Sequence, residues 1–116
     1  MARILLVDDE AALLDLLKRY LERLSYEVDA CLTPAEALVR FEADPASYSL
    51  VLTDLTLPGM RGDEMIAKMR ALEPKLPAII ASGYPYATQG ERTGFIQKPF
   101  LPKTLAEQIE ALLNRP

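Results

Sequence analysis

Short apolar runs in this chain stop on groups that can do chemistry. "LLVDDE" ends in Asp8, Asp9 and Glu10, and "VLTDLTLPGM" drops Asp54 after its apolar stretch, with no Lys or Arg before Arg61. Further along, "AIIASGY" stops at Ser82 and "FIQKPF" carries Lys98. The chain has no histidine and one cysteine, Cys31. Ser-His and Cys-His nucleophile pairs, His-ligated zinc and a phosphohistidine carrier are therefore excluded. The chemistry left runs on carboxylates, hydroxyls, a lysine and a hard cation. Three carboxylates gathered at one place repel, since two unit charges about 4 Å apart cost roughly 4 kcal/mol at an effective dielectric near 20. Protonating one of them, or binding a divalent cation, relieves that repulsion. Oxygen donors without imidazole or thiolate suit Mg2+, which takes one or two carboxylates, keeps several waters and leaves room for a phosphate oxygen.

Each feature also has a plain structural reading. Acids at 8–10 suit the positive start of a helix. Asp54 suits the start of a turn, and Ser82-Gly83 or Lys98-Pro99 alone is an ordinary loop pair. A shared location would give them weight, and that depends on the elements around them. "RILLV" (3–7) reads as a strand buried on both faces. The run 10–24 places Leu14, Leu17, Leu21 and Leu24 at helical spacing, with Leu13 and Tyr20 widening the stripe. "YEVDACL" (26–32) alternates like a more exposed strand. The helix predicted over 33–44 opens with Thr33 as N-cap, Pro34 at its first position and Glu36 completing a capping box. Strands follow at 50–54, 77–82 and 94–98, with helices at 63–72, carrying Ile66, Met69 and Leu72, and at 103–114.

Strands alternating with helices imply right-handed crossovers and a parallel sheet covered on both faces. Ligands of such sheets bind beyond the carboxyl ends of the strands. Asp8, Asp9, Asp54, Ser82 and Lys98 all fall at that edge. The length of 116 residues predicts a single domain, 1–116. A net charge of −4 argues against direct nucleic-acid binding. No apolar run reaches membrane-spanning length and no signal peptide is visible, so a cytoplasmic location is expected. Cys31, among apolar neighbours, reads as a buried packing residue.

These motifs resemble the receiver domain of two-component response regulators. The likeness covers Arg3 to about Leu113 and rests on "LLVDDE", "VLTDLTLPGMRGDE", "AIIASGY" and "FIQKPF", in that order. Any one of them is weak; four together are specific. The resemblance implies a doubly wound five-stranded parallel sheet of order 2-1-3-4-5. It implies that Asp54 is the phosphoacceptor, attacking a phosphohistidine to give an acyl phosphate. Asp9 would hold Mg2+ with Asp54 and the backbone carbonyl of Thr56, and Asp8 would act through water. Lys98 would pair with the phosphoryl oxygens and Pro99 would follow it through a cis bond. Ser82 would move to hydrogen-bond the phosphoryl group, and Phe95 would be an aromatic rotamer switch. Gly83 would leave the approach open, and Thr56 and Tyr84 would flank the path of incoming water. Pro58 and Gly59 would hold the loop that aims Asp54, with its carboxyl at an ordinary pKa. The implied partner is a sensor histidine kinase or a histidine phosphotransfer domain, and the wording of "ASGY" and "FIQKPF" is most similar to receivers of hybrid kinases. The domain would be no general enzyme, catalysing only its own phosphorylation and dephosphorylation.

The sequence departs from the family between the fourth and fifth strands. "SGYPYATQGERTG" is short, and Pro85, Gly90 and Gly94 leave too few residues for a normal fourth helix. The family's usual output face would be reduced, which favours a monomer over the helix-swapped dimer. Leu101 stands where a capping Ser or Thr commonly precedes Pro102. Two alternatives compete. A binding module that no longer takes phosphate is opposed by Asp9, Asp54, Ser82 and Lys98 occurring together. A haloacid-dehalogenase-type phosphatase is opposed by motif order and by the lack of room for a cap domain.

Overall fold

The computed structural model describes residues 2–88, 90 and 92–114. Five strands, β1 (Arg3–Val7), β2 (Glu27–Cys31), β3 (Leu50–Asp54), β4 (Ala78–Ser82) and β5 (Thr93–Gln97), form one sheet of order β2-β1-β3-β4-β5. Every pairing is parallel. Four α-helices connect them: α1 (Ala11–Arg23), α2 (Pro34–Ala43), α3 (Gly62–Leu72) and α4 (Pro102–Leu113).

The strand residues alternate between two cores. Ile4, Leu6, Leu52, Ile79 and Ile96 pack under α1 and α4, against Leu17, Leu21, Leu105 and Ile109. Leu5, Val7, Val51 and Ile80 pack under α2 and α3, against Phe41, Met65 and Met69. The uninterrupted apolar runs follow from this, because each face of the central strands meets a helix layer. The edge strand β2 is more exposed than β1 and β3, as expected, but its burial does not alternate strictly: Val28 and Cys31 are buried, Asp29 and Ala30 half-buried and Glu27 exposed. Its Asp29 is satisfied by Arg3 Nη2 at 2.7 Å and by the Tyr48 hydroxyl at 2.6 Å.

Three sequence expectations are adjusted. Leu24 is the C-cap of α1, with non-helical backbone, and is 47% exposed, so the stripe stops at Leu21. Leu72, the last residue of α3, is half exposed. Thr33 does cap α2 by accepting from Glu36 N at 3.2 Å, but the Glu36 carboxylate reaches Leu32 N rather than Thr33 N. As expected, Leu101 caps α4 without a side-chain hydrogen bond.

The expected irregular fourth helix is sharper in the structure. Among the described residues no helix lies between β4 and β5, so α2 and α3 alone cover their face of the sheet. Phe95 and Thr93 on β5 are left only half-buried.

Cys31 is fully buried, and that burial pushes its thiol up to about 11. A thiol reagent at pH 8 is expected to modify it no faster than the protein unfolds. Rapid labelling of the native chain, followed by mass, would contradict that burial.

Candidate functional site

Parallel register carries the strand ends to one edge. Val7 lies beside Thr53, Asp54 beside Ala81, and Ser82 beside Gln97. The residues just past β1, at the end of β3 and just past β5 therefore meet. Asp8, Asp9 and Asp54 each offer a carboxylate oxygen within 4.8 Å of the others. Lys98 Nζ stands 2.8 Å from Asp8 Oδ2, 3.5 Å from Asp54 Oδ2 and 3.5 Å from Glu10 Oε1. The Asp8 and Lys98 side chains are 8% and 16% exposed, so this pair is largely withdrawn from water. Asp8 is held further by Glu10 N, which donates to its Oδ1 at 2.9 Å.

The expectation of an ordinary pKa at Asp54 does not hold. Burial raises its carboxyl above the usual range; Lys98 pulls it back down, while Asp8 and Asp9 push it up. At Lys98 burial works to lower the ammonium, but the hydrogen bond and charge of Asp8, with Asp54 and Glu10 behind, hold it above its ordinary value.

The loop after Asp54 is fixed from both ends. Gly59 takes φ +84°, a conformation that glycine reaches without steric cost. At the other end Gly62 opens α3 and donates its backbone N–H to Leu55 O at 2.8 Å. A Cβ built on Gly62 would press on the carbonyl oxygen of Asp54 and on the Thr53 side chain. The fully buried Thr53 hydroxyl donates to that same Asp54 carbonyl at 2.9 Å. Asp54 is thus seated against the start of α3 with no slack.

Ser82 is buried at the end of β4, and its Oγ accepts from Tyr84 N at 3.1 Å. Among the described residues it has no hydrogen bond to Asp54. Gly83 faces open space, Thr56 is exposed, and Tyr84 is 81% exposed. The Lys98-Pro99 bond is cis. Phe95 belongs to neither core, and its carbonyl accepts from Gln108 Nε2 at 3.1 Å. The acids and Lys98 are brought together, then, and Ser82 adjoins them through its carbonyl, which accepts from Lys98 N at 2.8 Å, while its hydroxyl is engaged by Tyr84 N.

Sequence reasoning passed over Glu10, although "DDE" placed it beside the acidic pair. It also passed over Thr53, Gly62 and Tyr86, whose contributions are contacts between segments and leave no local pattern. The oxygen set itself fits a small hard cation. Ligands at about 2.0–2.1 Å from Mg2+ lie roughly 3–4 Å apart, close to the spacing available here, and among the described residues no imidazole or thiolate joins the group.

Residues 4–110 match the family model of the response regulator receiver domain. The chain is 34% identical over 119 residues to regulatory protein VanRB of Enterococcus faecalis, covering 97% of this chain and 53% of that protein. It is 38% identical over 120 residues to transcriptional regulatory protein ResD of Bacillus subtilis, covering 97% and 48%. The chain spans about half the length of these curated relatives. Among solved structures, the receiver domain of the hybrid histidine kinase CckA superposes with a TM-score of 0.89 at 32% identity, over 97% of this chain and 100% of that one. A CheY-like receiver protein from Methanospirillum hungatei JF-1 gives 0.86 at 35% identity, over 98% and 94%.

Proposed function

Because the chain belongs to the response regulator receiver domain family, we propose that Asp54 accepts a phosphoryl group from the phosphohistidine of a sensor kinase or phosphotransfer protein. What carries this reading is the position of Asp54: at the sheet edge, within 4.8 Å of the acidic pair and 3.5 Å from the Lys98 ammonium.

An Asp54 carboxylate oxygen attacks phosphorus, the P–N bond breaks, and the imidazole leaves with the electron pair. Such transfers depend mainly on position and on neutralising charge. Mg2+, held by Asp9, Asp54 and the Thr56 carbonyl and by Asp8 through water, would supply neutralising charge at the phosphoryl oxygens. Lys98 already lies within reach of oxygens attached to Asp54 and transfers part of its pairing from Asp8 to them. Ser82 exchanges its bond with Tyr84 N for one to the phosphoryl group. Gly83 leaves the entering side open, and Thr56 and Tyr84 border the route of hydrolytic water. Phe95, half-buried where the sheet lacks a helix cover, has room to change rotamer. Catalysis extends only to the domain's own phosphorylation and dephosphorylation.

Incubation with Mg2+ and a small acyl phosphate donor is expected to add one phosphoryl group by intact mass, and Asp54→Ala is expected to add none. An adduct that survives in the variant, or none in the wild type, would overturn the assignment.

A further inference from the structure

Where no helix lies between β4 and β5 among the described residues, a cleft of about 410 Å³ separates α3 from the segment that joins these strands, lined by Ile66, Arg70, Ile80, Tyr86 and Thr93 among others. Two sets of hydrogen bonds tie that segment to α3 across the cleft. Near β5, Arg70 donates to Arg92 O at 3.1 Å and to the Thr93 hydroxyl at 2.9 Å, while its bonds to Leu76 O, ahead of β4, hold the guanidinium in place. Near β4, a single side-chain bond among the described residues does the work: the Tyr86 hydroxyl donates to Asp63 Oδ2 at 2.9 Å. The same carboxylate takes both Arg61 Nε and Nη2 at 3.1 Å.

The two ends of the Tyr86 bond belong to the two arms of the site. Asp63 follows Gly62, which is fixed against Asp54 by its bond to Leu55 O and by the lack of space for a side chain. Tyr86 follows Ser82, whose hydroxyl holds Tyr84 N in a tight turn. If Ser82 turns to a phosphoryl group, Tyr84 N loses its acceptor and the backbone after it must find another arrangement. The Asp63 end cannot follow, because α3 is seated on the Asp54 carbonyl. The bond between them is the contact that yields.

We infer that the Tyr86–Asp63 hydrogen bond is a latch, closed in the unmodified protein and released when the phosphoryl site is filled, so that the α3–β5 cleft opens. The inference rests on Asp54 being the phosphoacceptor. A bond present in only one of two states biases the equilibrium toward that state, and a ligand of the other state must work against it. Removing the bond therefore favours the filled form.

The test titrates the whole chain with beryllofluoride and Mg2+ and follows amide resonances. Tyr86→Phe, which keeps the ring and deletes the hydroxyl, is expected to bind beryllofluoride about three- to tenfold more tightly than wild type. In the wild type, the Asp63 and Tyr86 amides are expected to shift with occupancy. Equal affinity in the variant, or unmoved Asp63 and Tyr86 signals while beryllofluoride occupies Asp54, would overturn the latch and leave the phosphoacceptor reading standing. No binding by the wild type would overturn both.

Discussion

Gly62→Ala is expected to destabilise the protein by about 1–3 kcal/mol, the range for overpacking a tight contact, and to weaken Mg2+ binding at least about tenfold. The added methyl would meet the Asp54 carbonyl and both branch atoms of Thr53. A flexible side chain could swing away; a peptide carbonyl in the last residue of a strand cannot, because its position is set by the pairing of Asp54 with Ala81. Either α3 retreats or the Asp54 peptide rotates. Retreat breaks the Gly62 N to Leu55 O bond that shapes the loop carrying Thr56, and rotation re-aims the carboxylate. Both outcomes spoil a metal site that demands near-ideal octahedral geometry. Gly83→Ala is the control, since nothing lies within 4 Å of its added atom. Denaturant unfolding and calorimetric Mg2+ titration measure the two effects separately. Wild-type Mg2+ affinity in a folded Gly62→Ala protein would show that the start of α3 does not set the site.

The contrast between Gly62 and Asp54 shows what the chain discloses in one dimension. Asp54, Asp8 and Lys98 were legible because each interrupts an apolar run, and the parallel-sheet rule brings such interruptions to one edge. The strands themselves were legible because two-sided burial makes them continuously apolar. Gly62 sits in "MRGDE" with nothing to distinguish it from an ordinary helix start; its importance is a distance to a carbonyl eight residues earlier. Tyr86 is similar, since the Pro and Gly residues around it indicate irregular chain but not its bond to Asp63. The raised pKa of Asp54 is hidden from the sequence for the same reason. The position of Lys98 could be inferred, but not that it would lie closer to Asp8 than to Asp54, leaving burial as the larger influence on the nucleophile.

That ordering of distances leads to a second large effect. Without metal, Lys98→Met is expected to lower stability at pH 7 by about 2–4 kcal/mol, slightly less than the cost of breaking a fully buried ion pair. The substitution keeps much of the side-chain volume and deletes the only cation that contacts Asp8 and Asp54 among the described ion pairs. Glu10 N still donates to Asp8, which is why the loss falls short of a complete orphaning. The effect also has a defined pH sense. The Lys98 ammonium is raised, so its contribution is full below its ordinary value of 10.5 and is lost as pH climbs through the folded value. The Asp54 carboxyl is raised too, so its contribution is fullest below its ordinary 3.8 and is lost as pH rises through the folded value. Deleting Lys98 removes the one pull holding that carboxyl down, and the penalty at neutral pH grows. The gap between variant and wild type should therefore be wide at pH 7 and narrow on acidification, as the Asp54 carboxyl takes up its proton. Saturating Mg2+ should raise the variant's midpoint more than the wild type's, because the cation replaces the missing charge. Thermal unfolding at several pH values, with and without Mg2+, reads all three; a gap that stays constant from pH 7 to pH 4 would mean that Lys98 is not balancing these acids.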